Sequence, residues 1–105
     1  MAWVLLLVAG LLEVVWAFTM KLSQGFTRPG PSVVTLLATL ASFGLLSASM
    51  RTLPLGTAYT VWTGIGAIGA FVVGIVVLGE SVTGTRILAA VLIMSGLIFM
   101  KVSTP

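Results

Sequence analysis

The 105 residues contain no cysteine, no histidine, no asparagine and no aspartate. Each absence removes a class of chemistry. Without cysteine there are no disulfides and no thiol nucleophile, and cysteine usage gives no reading of the redox compartment. Without cysteine and histidine the ordinary zinc and iron sites are gone, and without asparagine there is no N-glycosylation acceptor. No metal and no cofactor is therefore expected. Charge is scarce too: five basic and two acidic residues make up 7% of the chain, against about 25% in a typical soluble domain. The basic residues stand apart from one another and form no cluster of the kind that holds nucleic acid.

What the chain has in abundance is apolar length. It is 59% hydrophobic, with a mean hydropathy of +1.26, which places it among integral membrane proteins. Four stretches stand out, at about 2–20, 32–50, 57–78 and 83–100, and each approaches the roughly 20 residues that cross a hydrocarbon core. The fourth depends on its start. Its uninterrupted apolar run, 87–100, is short, and it spans only if 82–86 extends it with Arg86 snorkelling outward. Between the stretches lie Lys21 to Pro31, rich in proline, glycine and charge, and Arg51 to Gly56, where Pro54 and Gly56 are expected to break the helix. No basic residue precedes Lys21, so the first stretch is expected to remain in the mature protein rather than act as a signal peptide. The expected fold is an all-α membrane protein with four transmembrane helices in a single domain over 1–105. No room is left for a soluble catalytic module, and no enzyme activity is expected.

The charges between the spans are nearly balanced. With four crossings, Arg51 and Lys101 lie on one side and Lys21, Arg28 and Arg86 on the other. The positive-inside rule needs a clear excess to orient a chain, so insertion in both orientations is expected. A chain that inserts both ways can pair with an inverted copy of itself, and inverted repeats around a midplane site are a common transporter plan. The expectation is an antiparallel, dual-topology homodimer, with one fixed orientation and a parallel dimer as the alternative.

Glu13 is the one acid within the apolar stretches. A carboxylate at bilayer depth costs about 2.5 to 3.5 kcal/mol on insertion scales, and intramembrane acids mark ion or proton pathways. Glu13 is accordingly the candidate site for a cation, a proton, or each in turn; the alternative is a carboxyl kept neutral by a neighbouring helix. On an α-helix its neighbours are Ala9, Gly10, Trp16 and Ala17, three of them small enough to admit a ligand or a close helix. The Trp16 indole either donates to the carboxylate or simply packs. In the second span, Thr35, Thr39, Ser42 and Ser49 form a hydroxyl stripe, with Ser42 at a depth comparable to Glu13. Such hydroxyls either bond carbonyls of their own helix or support the acid.

The third span carries Tyr59-Thr60-Val61-Trp62-Thr63-Gly64-Ile65-Gly66-Ala67-Ile68-Gly69. The Gly64-x-Gly66-x-x-Gly69 spacing matches a dinucleotide fingerprint only formally, because no strand precedes it. In an apolar helix such glycines permit close packing and local bending, and Gly66, Ala70 and Gly74 continue a ridge of small residues. Tyr59 and Trp62 share the face of Gly66, where they either hold a carboxylate and stack on a flat cation or belong to an interfacial aromatic belt. In the fourth span, Ala89 and Gly96 share a face and suggest dimer packing. Glu80 reads as a solvated turn residue.

Glu13 in a short first helix, the Gly-Thr-Ala-Tyr-Thr-Val-Trp-Thr-Gly-Ile-Gly block at 56–66 and four spans in about 105 residues resemble the small multidrug resistance family over the whole chain. Gly10, Trp16, Ser42, Tyr59 and Trp62 resemble its guanidinium-exporting branch, while Thr60 stands where that branch commonly has alanine. The resemblance implies an antiparallel dimer in the bacterial inner membrane, two copies of Glu13 lining one central site, and export of guanidinium-type small cations in exchange for protons. It implies that Trp16, Ser42 and Trp62 orient the Glu13 carboxylate, that Tyr59 closes the site, and that Gly64 to Gly69 form a bend. Two further readings stay open, a multidrug exporter of quaternary ammonium or aromatic cations and a small dual-topology ion channel.

Overall fold

The computed structural model describes residues 1–103. Four helices follow one another: α1 (Ala2–Leu22), α2 (Pro29–Ser49), α3 (Leu55–Val76) and α4 (Gly84–Ser103). Each is long and apolar enough to cross a membrane. At 1.5 Å per residue, 20 to 22 residues reach about 30 Å, the thickness of a hydrocarbon core. Helix is the outcome because in lipid every backbone N–H and C=O must be satisfied within the segment.

The helix ends follow local chemistry. Pro29 and Pro31 open α2 instead of lying in the preceding turn, with Arg28 extended before them (φ −104, ψ 120). Proline is well suited to that position, since the first helical N–H groups have no intrahelical partner. For the same reason α3 starts directly after Pro54, which places Gly56 in the first helical turn rather than in the connection. The α1–α2 turn contains three successive left-handed residues, Gln24, Gly25 and Phe26. It is held by buried Ser23, whose hydroxyl donates to the Met20 carbonyl (2.7 Å) and accepts from the Phe26 N–H (3.0 Å). α4 begins at Gly84 and continues past Lys101, so its length comes from both ends of the apolar run.

The helices form a slab of about 43 × 35 × 16 Å. α1 packs against α2 and α3, and α4 packs chiefly on α3 and touches α1 through Lys101, whose Nζ lies 5.0 Å from the centroid of the Trp3 ring. Leu6, Ala9, Leu46, Ala58, Val61 and Trp62 make the buried core, whereas α4 has no buried residue among those described. In lipid, apolar side chains gain little by leaving the bilayer, so close approach of backbones matters more than burial. Glycines supply it. A Cβ at Gly10 would run into Ile65, one at Gly69 into Val14, and one at Gly64 into Leu97, so these three positions set the α1–α3 and α3–α4 spacings. α3 is continuously helical through Gly64, Gly66 and Gly69, and all three are points of close helix contact.

Candidate functional site

Glu13 sits midway along α1, facing α3. Its carboxyl lies directly against the backbone of Gly66, where any Cβ would overlap it. The Oε1 atom is buried and has no hydrogen-bond partner among the described residues, and the same is true of Trp16 Nε1 one turn along. An unused acceptor and an unused donor thus stand on one helix face at a depth where such groups are costly to leave unpaired.

The polar groups expected around the acid are arranged differently. Ser42 is fully buried, and its hydroxyl donates to the Ala9 carbonyl of α1 (2.7 Å) while accepting from Trp62 Nε1 of α3 (3.0 Å). One side chain therefore ties three helices together. Trp62 spends its N–H on Ser42, so neither residue hydrogen-bonds Glu13 directly, nor does Trp16. The expected orientation of the carboxylate by these three groups is absent here, because Ser42 is committed one turn away from the acid. The rest of the hydroxyl stripe behaves as isolated helices dictate: Thr35, Thr39 and Ser49 donate to carbonyls of their own helix, on Pro31, Thr35 and Leu46. Thr35 also meets Thr19 of α1 (2.6 Å).

Trp62 is the centre of an aromatic group, with the Phe43 ring edge-on at 5.6 Å and the Tyr59 ring tilted at 5.6 Å. Tyr59 itself is exposed and lines an open groove between α3 and α4 with Thr60, Thr63 and Gly96. Gly10 is filled by Ile65 and leaves no ligand space. Ala89 and Gly96 lie exposed on α4, far from Glu13 along the chain and free of the packed core. Among the described residues no group of acidic or other ligand side chains is suited to a metal ion.

Removing the Ser42 hydroxyl should expose how much the three-helix tie contributes. In Ser42→Ala the Ala9 carbonyl keeps its place in the helix ladder, but the buried Trp62 N–H is orphaned. The expected loss of stability is about 1 to 2 kcal/mol, read from denaturant or thermal unfolding in detergent. An unchanged midpoint would mean that the indole finds another acceptor.

Sequence reading also missed a second charged feature. Glu80 is not simply solvated: its carboxyl folds back onto Gly74 and meets Arg86 (3.6 Å). The available signal was Gly79 before it, which adopts φ 69 and turns the chain back over α3.

Four membrane-length helices that carry a single unpartnered acid define a small polytopic membrane protein of the transporter class. The model of the family described as Small Multidrug Resistance protein matches residues 1–102. A Citrobacter freundii protein named guanidinium exporter is 56% identical over 104 residues, covering 99% of both chains. A protein of the same name from Yersinia pseudotuberculosis is 54% identical over 99% of this chain and 100% of its own, and one from Salmonella typhimurium is 53% identical over 98% of each. The chain belongs to the small multidrug resistance family, and is a multi-pass protein of the bacterial inner membrane.

Proposed function

We propose that this protein exports guanidinium and small guanidinyl cations in exchange for protons, both competing for Glu13. The observation that carries the reading is the Glu13 carboxyl itself, half-buried on a membrane-length helix with its buried Oε1 left without a partner among the described residues. Relatives at 53 to 56% identity that carry the name guanidinium exporter support the choice of cation. A guanidinium ion is planar and offers paired N–H donors that fit a carboxylate bidentately, which an ammonium point charge does not reproduce.

The working unit is an antiparallel homodimer. Lys21, Arg28 and Arg86 on one side and Arg51 and Lys101 on the other give little orientational bias, and the exposed face of α4, with Ala89 and Gly96, is available for packing against a second copy. Two Glu13 carboxyls then share one site. Like charges in low dielectric do not both ionise cheaply, so the pair holds protons until a cation displaces them. Trp16, with its free N–H one turn away, serves the carboxylate when the cation binds; the Ser42 and Trp62 pair holds the supporting helices; Tyr59 closes the site. Release of two protons for each monovalent cation makes the exchange electrogenic, so pH gradient and membrane potential both drive export. Alternating access is an exchange between two inequivalent subunit shapes.

The test is a current recording. Purified protein in liposomes should give saturable guanidinium currents that shrink as pH is lowered at fixed guanidinium, since protons then occupy Glu13. Silence with guanidinium and signal with a quaternary ammonium compound would reassign the protein to multidrug export. Current that neither saturates nor responds to protons would indicate a channel.

A further inference from the structure

A groove of about 350 Å³ lies between α1 and α3, with Ala17, Ala67 and Ala70 along its walls and Lys21, Glu80 and Arg86 around its mouth. Ala17 is one helical turn beyond Glu13 on α1, and Ala67 follows Gly66 on α3, so the groove starts about one turn from the acid, which does not itself line it. The mouth is occupied by the Arg86 side chain. Its guanidinium carbon lies 5.1 Å from the centroid of the Phe71 ring, Nη2 is 3.6 Å from Glu80 Oε1, and Nη1 donates to the Ser81 carbonyl (2.5 Å) and, more weakly, to the Ser81 hydroxyl (3.4 Å). A carboxylate, an aromatic face and a carbonyl are what a guanidinium group requires of a receptor. The chain's own guanidinium fills one here.

The placement of Glu80 is otherwise unfavourable. Its carboxyl is turned inward onto Gly74, close to the C-terminal end of α3, where the helix dipole disfavours an anion. Gly74 permits this, since a Cβ there would come within 2.5 Å of Glu80 Oε1. Both partners of the ion pair are partly exposed, at 36% and 44%, so the pair is weak and exchanges readily. Lys21 at the same mouth opposes any cation that Glu80 attracts, which keeps the site one that releases what it binds.

We propose that Phe71, Glu80 and the Ser81 carbonyl form a vestibule site for a free guanidinium-type cation, which Arg86 fills when no cation is present and yields when one arrives. The cation then passes along the groove to Glu13. This inference rests on the exporter reading above and adds to it a second recognition point outside the central acid.

The experiment compares guanidinium-evoked currents of the full chain with those of Glu80→Gln, Arg86→Gln and the double variant in liposomes. Removing the receptor carboxylate should raise the half-saturating guanidinium concentration about fivefold, while removing the tethered competitor should lower it about threefold. The double variant should match Glu80→Gln alone, because Arg86 competes only where Glu80 holds it. A pair that merely braces the turn predicts otherwise: both single variants would lose current through lost protein, with half-saturation unmoved or shifted the same way, and that outcome overturns the site. A gain in apparent affinity in Arg86→Gln is not a result that misfolding produces. Wild-type protein without saturable guanidinium current would overturn the exporter reading and the vestibule with it, whereas normal wild-type current with an unshifted Glu80→Gln overturns the vestibule alone.

Discussion

Glu13→Gln is expected to abolish the proposed proton-coupled guanidinium exchange. The substitution keeps shape and volume and removes the charge, so helix packing around Gly66 is preserved while both ligands lose their site. A cation left at membrane depth without its counter-charge loses about 3 to 5 kcal/mol, which corresponds to roughly 10²- to 4 × 10³-fold in affinity. The proton loses its acceptor outright, since an amide does not titrate in this range. Uptake of guanidinium driven by an imposed pH gradient should fall to the level of empty liposomes. Transport that persisted with its normal pH dependence would show that another group carries the proton.

Gly66→Ala is expected to have the second largest effect, by a different route. The added methyl would overlap Oε1, Cδ and Cγ of Glu13. Those atoms are the flexible end of a long side chain, so relief is cheap in stability and the carboxyl simply moves. Function has less tolerance. A displacement of about 1 Å at a reacting or binding group commonly costs on the order of 10²-fold in rate. Transport should therefore drop by about that factor with little change in unfolding midpoint. Gly69→Ala provides the contrast, because its methyl meets Val14, a stiff branched side chain with no polar atom, and the cost falls on helix packing. Equal transport losses in the two variants would argue that α1–α3 spacing, not the carboxyl position, is the sensitive quantity.

The four helices were legible because the bilayer allows few alternatives: an apolar run of the right length with no internal partner for its backbone must close its own hydrogen bonds. Glu13 was legible for the same reason, as the one residue whose presence in lipid demands an explanation. Partner choice was not. Thr35, Thr39, Ser42 and Ser49 look alike along the chain, yet Thr39 and Ser49 bond within α2, Thr35 also reaches Thr19 of α1, and Ser42 ties α1 to α3. That difference depends on which neighbour approaches closely enough, which the order of residues along α2 does not encode. The prolines misled for a local reason, since Pro29 and Pro31 at the start of a helix and in a turn present the same sequence. Glu80 misled because a turn with a left-handed Gly79 can carry a side chain outward or back over the preceding helix, and only the fold distinguishes them.

The attachment of α4 chiefly to α3 bears on how the chain is made. α1, α2 and α3 contact one another and can settle while the last helix is still inside the ribosome and the insertion machinery, so the Ser42 tie and the Glu13–Gly66 contact are available before synthesis ends. α4 then joins a nearly finished unit, packing on α3 at Gly64 and Leu97 and meeting α1 through Lys101 and Trp3. A newborn chain would thus assemble the Glu13–Gly66 contact first and gain the exposed face of α4 last.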